Sequence, residues 1–289
     1  MKNLIVSAIA FAALIFTPIF ISASSCKKFI SIQNAIENNL VSLQMQSLGG
    51  HSENCVQCIT KNNTNDSIFI EFEAGRVLDN TNAAEQDILV THALKLRIAA
   101  HKTKDTVAYG FCCQSGNSGP SYKQKYIVGN MADSASVVLA NFLNTHITSA
   151  SKAQNAVWVL SNNHTVSSIA EASDTAATKL IALCCKLKHV QVPPWHHQIF
   201  MQVPGKVFSG IINNIIAEIN YNKRTNNELQ AFVCDSTGKI IKTLATQNFA
   251  ANGNIKFRFD IQVVNWKKGT YTIKIFENKE TALEKKFTV

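Results

Sequence analysis

Phe111-Cys112-Cys113-Gln114-Ser115-Gly116-Asn117-Ser118-Gly119-Pro120 divides the chain into two kinds of sequence. Before it, apolar residues fall at alternate positions, as in Ile68, Ile70 and Phe72, the pattern of a strand with one buried face. After it, Val137, Val138, Phe142 and Leu143 recur at helical spacing behind Asp133 and Ser134, residue types that cap helices. The Gly/Ser/Asn turn between the two lets backbone approach a neighbouring group closely. The fold class is therefore mixed, mainly β with helices: an N-terminal β-rich sandwich or barrel with a helical insertion.

Working back from Phe111, strands are expected at Val41 to Leu48, Cys55 to Thr60, Ser67 to Phe72, Asp87 to Thr91, Ala93 to Ala99 and Thr106 to Cys112, with a short helix near Ile32 to Asn39. Working forward, Ser151 is expected to cap a helix carrying Ala153, Val157 and Trp158. A further helix from Asp174 places Leu180, Ile181, Leu183, Cys184 and Leu187 together and ends in Lys186, Lys188 and His189, cations suited to a helix C-terminus. Pro193, Pro194 and Pro204 then interrupt all periodicity. Strands resume beyond them, with turns at Asp235 to Gly238 and Lys267 to Gly269 and alternation at Tyr271, Ile273 and Ile275, which suits a C-terminal Ig-like β-sandwich. The expected boundaries are 1–25 signal peptide, 26–190 β-rich domain with helices, 191–205 Pro-containing linker and 206–289 β-sandwich.

The N-terminus carries Lys2, an apolar run from Leu4 to Ile21, and the small residues Ala23, Ser24 and Ser25, the layout of a cleaved export signal. Cys26 follows at once, so lipid attachment to it, giving an outer-membrane lipoprotein, is an alternative end state and the one expected link to a membrane. Without Lys2 the formal charge of +9 becomes +8. Its Lys and Arg residues are scattered rather than gathered on one stripe with aromatics, which excludes a nucleic-acid footprint and leaves anionic surface polymers as general partners. No cofactor is implied. Eight cysteines in an exported chain permit disulfides. Cys55 and Cys58 are a disulfide or metal candidate pair, with His51 nearby and Cys184 and Cys185 as completing ligands.

The runs Asp235-Ser-Thr-Gly-Lys-Ile-Ile-Lys-Thr-Leu244, Gly269-Thr-Tyr-Thr-Ile-Lys-Ile275 and Glu284-Lys-Lys-Phe-Thr-Val289 resemble the sandwich modules that end many secreted Bacteroidetes-type proteins. That resemblance implies a sorting role in type IX secretion; Ig-like spacers share the pattern and imply none.

The segments Phe111-Cys112 before Pro120 and Gln154-Asn155-Ala156-Val157-Trp158 resemble the two motifs of thioester domains in bacterial surface adhesins. The stretch from Ala35 to His164, with Glu73-Ala-Gly-Arg-Val-Leu78, Gln86-Asp87 and Ser161-Asn-Asn-His164, is also similar to a family of exported bacterial proteins without an assigned activity. The adhesin resemblance implies an internal thioester between Cys112 and Gln154 that a surface amine opens, with Phe111 and Trp158 shielding it and His164 assisting proton transfer. Cys113 and Gln114 depart from the adhesin pattern, as does Ala153. The function expected is a secreted adhesin without turnover whose partner is a host or neighbouring cell-surface protein or polymer. Alternatives are an exported cysteine hydrolase using Cys112 with His164 and Asn162, and a non-catalytic scaffold or carbohydrate-binding protein. Trp195-His196-His197 is either a ligand site or an aromatic linker.

Overall fold

A computed structural model describes residues 28–169, 175–191, 195–224, 228–248 and 253–289. The expected signal segment, Cys26, Asp174, Pro193 and Pro194 lie outside the described residues. In chain order the first elements are β1 (Ile30–Ser31), α1 (Ile32–Glu37), β2 (Val41–Ser47), β3 (Ser52–Asn62), β4 (Ile68–Phe72), β5 (Arg76–Asn80), β6 (Ile88–His92), β7 (Leu94–Ile98), β8 (Thr103–Cys112) and β9 (Lys125–Met131). They are followed by α2 (Ser134–Thr145), α3 (Ala150–Ser161), a 3-10 turn at Val166–Ser168, and α4 (Thr175–Leu187). No helix among the described residues is long and apolar enough to cross a membrane.

Six strands close into a barrel in the order β2-β3-β8-β6-β5-β9, and β1, β4 and β7 form a small separate sheet. Closure is narrow, since β2 and β9 share only the pairs Met45–Tyr126 and Gln46–Lys125. Along β3 the residues Val56, Cys58, Thr60 and Asn62 are buried, as period-two alternation requires. A register shift between Asn54 and Val56 adds Cys55 to the buried set. β5 and β9 were not among the expected strands. β5 begins on a buried arginine, Arg76, whose charge is met by Glu73 at 2.6 Å and whose Nη1 donates to the Gly129 carbonyl of β9 at 3.0 Å. Such polar burial hides a strand from a hydrophobic pattern and is tolerated because the charge is paired.

The three helices cover the outer face of β6 and β8. Their apolar residues, among them Leu139, Leu143, Val157, Leu180 and Cys184, form one cluster with Leu89 and Phe111. The next residue, Cys112, belongs to the barrel interior with Cys55, Cys58 and Tyr126. Consecutive residues of β8 thus serve opposite faces of the sheet. Asp133 caps α2 by accepting from the Ser136 N–H at 2.8 Å. Ser149 rather than Ser151 occupies the N-cap of α3, and its side chain makes no capping bond.

The second unit comprises β10 (His196–Phe200), β11 (Ile212–Lys223), β12 (Glu228–Cys234), β13 (Ile240–Asn248), β14 (Gly253–Gln262), β15 (Thr270–Glu277) and β16 (Glu280–Thr288). Two sheets, β10-β11-β14 and β13-β12-β15-β16, enclose Ile215, Ile219, Val233, Phe257, Ile273 and Phe287 in an Ig-like sandwich. The stretch expected as a linker supplies β10, which pairs with β11 from His196–Ala217 onward.

Candidate functional site

β8 ends at Cys112, and α3 crosses its end so that the buried Gln154 faces the Cys112 backbone. The Cys112 N–H donates to Gln154 Oε1 at 3.2 Å, and Gln154 Nε2 donates to the Cys112 carbonyl at 2.8 Å. The same N–H also donates to the His51 carbonyl at 3.1 Å. The Cys112 backbone is thus met by a main-chain carbonyl and a side-chain carboxamide together. The Cys112 thiol is buried, and burial, with the nearby Cys55 thiol adding to it, pushes its pKa far up, so it remains un-ionised.

A second set of bonds ties the turn after Cys112 to the far end of α3. Ser161 Oγ donates to the Cys113 carbonyl at 2.7 Å, the Ser115 N–H donates to Asn162 Oδ1, and Ser115 Oγ pairs with His164 Nε2 at 2.9 Å. Lys188, expected as a plain C-terminal cation, instead donates to Asn163 Oδ1 at 2.7 Å and to the His164 carbonyl at 2.9 Å. Burial and this ammonium lower the His164 pKa, which favours neutral imidazole. Gln114 anchors the turn from the other side: its Oε1 accepts the Asp87 N–H at 2.7 Å and its Nε2 donates to Asp87 Oδ2.

Gln154 opens on a cleft of about 690 Å³ between the N-terminal domain and the segment that contains β10. Trp158 lines it beside Gln154, one helical turn on, and Phe200 and Phe208 come from the opposite side. The Trp158 and Phe208 ring centroids lie 5.4 Å apart, those of Phe208 and His164 4.4 Å, and those of Phe200 and Phe208 4.7 Å. The buried Trp158 Nε1 and His164 Nδ1 have no hydrogen-bond partner. His51 also lines the cleft, and burial lowers its pKa.

Of the expected site residues, Gln154 meets the Cys112 backbone and lines the cleft with Trp158, while Phe111 packs into the helical layer on the other side of β8 from the thiol. His164 is engaged with Ser115 and Asn162 accepts from the Ser115 N–H, so a Cys112–His164–Asn162 triad is not assembled. Cys55 and Cys58, the disulfide or metal candidates, are free thiols, and burial pushes both up to about 12. Cys184 and Cys185 sit among the helices rather than in the barrel with Cys55 and Cys58, so they cannot complete a shared site. No group of three or more His, Cys, Asp or Glu among the described residues could hold a metal ion. Trp195 packs on the sandwich core, with its ring centroid 4.7 Å from that of His196. Sequence reasoning did not place Ser115, Lys188 or Phe208 at the site. Their roles depend on partners distant along the chain, and only the quoted Ser161-Asn-Asn-His164 run hinted at them.

No curated protein matches the chain. Residues 213–289 match the family model for the secretion system C-terminal sorting domain, and with this type IX module the chain is an exported Bacteroidetes-type protein destined for the cell surface or extracellular space.

Proposed function

We propose that this secreted surface protein attaches covalently to its target through a thioester between Cys112 Sγ and Gln154 Cδ, without turnover. The observation that carries the reading is the doubly hydrogen-bonded, buried contact of the Gln154 carboxamide with the Cys112 backbone. In the step, Sγ bonds to Cδ, the Cδ–Nε2 bond breaks, and the thiol proton leaves with nitrogen as ammonia. The Cys112 N–H already points at Oε1, the oxygen on which charge develops, and so acts as a preformed oxyanion donor. Bond formation requires the Cys112 sulfur, which packs in the barrel interior, to turn toward Cδ. A target amine then bonds to Cδ, the C–S bond breaks, and the amine proton returns to sulfur.

Intact mass of the exported chain tests this. The expected chain is lighter by one ammonia, and methylamine adds at Gln154 while releasing an alkylatable Cys112. A full-mass chain with no methylamine adduct would sink the proposal. Turnover of a peptide or thioester substrate that Cys112→Ala abolishes would point instead to a hydrolase.

A further inference from the structure

The loop that joins β10 to β11 belongs to the sandwich unit, yet its tip rests on the N-terminal domain. The Met201 N–H donates to the Ile211 carbonyl at 2.8 Å and closes the loop at its base. Val207 and Phe208 stand at the tip, between Gly205 at φ 78° and Gly210 at φ 68°. Both glycines hold left-handed backbone, so the chain bends sharply on each side of the tip. Among the described residues, a Cβ built at Gly205 would meet nothing within 4 Å, and one at Gly210 would meet Phe208 alone, at 3.8 Å. The bends are open, and the contacts are gathered at the tip. There the Phe208 ring centroid lies 5.4 Å from that of Trp158 and 4.4 Å from that of His164. Val207 abuts the turn that follows Cys112, since a Cβ at Gly119 would lie 3.1 Å from Val207 Cγ2.

Ring pairs of this kind are favourable and hold the tip down. A second effect opposes them. Trp158 is 4 % exposed, and its Nε1 and the His164 Nδ1 are buried with no partner among the described residues, a desolvation cost that water relieves on reaching them. Phe208 is the ring that packs on both side chains. From this opposition we infer that the β10–β11 loop is a hinged cap on the Gln154 site, with Phe208 as its closing residue. Seated, Phe208 covers the Trp158 and His164 rings. Lifted on Gly205 and Gly210, it uncovers the indole that stands one helical turn from Gln154. Phe208 thus takes the place that the adhesin resemblance implied for Phe111, which packs in the helical layer. In the thioester reading the seated cap holds water and amines off Gln154 Cδ, and that role rests on that reading; the cap itself does not.

The test is tryptophan oxidation of the exported full chain by N-bromosuccinimide, located by peptide mass. Trp158 is expected to oxidise at least about tenfold faster in Phe208→Ala than in the parent, while Trp195 and Trp266, which pack on the sandwich core, keep their rates. Phe208 is half-buried on a loop, so its replacement leaves both cores intact. Gly119→Val crowds Val207 from the opposite side and should speed Trp158 in the same way with the loop sequence unaltered. Two results would each overturn the inference. One is a Trp158 rate that neither variant raises; the other is equal acceleration of all three tryptophans, which would make the loop a support of the whole fold. Methylamine incorporation at Gln154, followed in the same chains, is expected to rise by about tenfold with Phe208→Ala. Uncovering of Trp158 in a chain with neither ammonia loss nor adduct would leave the cap standing and remove the thioester. A thioester in a chain whose methylamine and Trp158 rates both ignore Phe208→Ala would do the reverse.

Discussion

Gln154 and Cys112 hold one another by two hydrogen bonds, one in each direction, between a carboxamide and a single backbone residue. Gln154→Ala removes both and leaves the buried Cys112 carbonyl without that donor. A loss of about 1–3 kcal/mol in urea unfolding is expected. This loss applies to the chain whose carboxamide is intact, since a thioester has no Nε2 to donate, so stability must be measured alongside mass. A variant as stable as the parent would mean that the amide contributes nothing to the fold.

The barrel thiols make a pH prediction with a definite sign. Cys55 and Cys58 are raised from 9.0 to about 12 by burial, so their stabilising effect is complete below the unfolded thiol pKa of 9.0. Above that pH the unfolded chain ionises first, and stability falls by about 1.4 kcal/mol per pH unit for each thiol until its folded pKa is reached. Thermal midpoints across this range should decline, and Cys55→Ala should reduce the slope. An unchanged slope would remove that thiol from the account.

At the acid end the sandwich responds through His196. Burial, with a smaller contribution from His197, lowers it from 6.5 to about 4. A depressed histidine stabilises above the unfolded value, and that stability is lost as pH falls from about 6.5 toward about 4, to a limit of about 3 kcal/mol. Denaturant midpoints over this interval should fall in the parent and flatten in His196→Phe.

At Gly110 β8 passes close against β6, since a Cβ there would lie 2.4 Å from the Leu89 carbonyl oxygen and 2.6 Å from Ile88 Cγ2. The first obstacle is backbone and cannot swing aside. Gly110→Ala should cost about 1–3 kcal/mol or more and shift the strand end that carries Cys112. Urea unfolding and the rate of Cys112 alkylation measure the two effects.

Deleting residues 213–289 should leave the protein inside the cell envelope instead of at the surface or in the medium. Fractionation and protease accessibility of whole cells decide this, and unaltered delivery would count against the module.

Much of this architecture was legible because burial follows period. Ile68, Ile70 and Phe72 alternate and form β4. Val138 is the exception at helical spacing: it is exposed, while Leu139 and Leu143 carry the buried face of α2. β5 and β9 were hidden by Arg76, Gly129 and Asn130, which break the apolar alternation, and the bond from Arg76 to the Gly129 carbonyl joins strands far apart in sequence. Barrel closure through two residue pairs leaves no sequence mark at all. The meeting of Gln154 with Cys112 was expected from resemblance to other proteins, since no spacing rule connects a helix amide to a strand end. The aromatic wall was missed because Phe208 lies in a region without periodicity.

β10 carries a practical consequence for anyone who transplants the sorting module. Its hydrogen bonds join β11, yet it precedes the matched stretch that begins at residue 213. A fragment cut at that point would expose a long hydrogen-bonding edge on β11, an invitation to self-association. The portable unit begins at Trp195, whose indole already packs on the sandwich core.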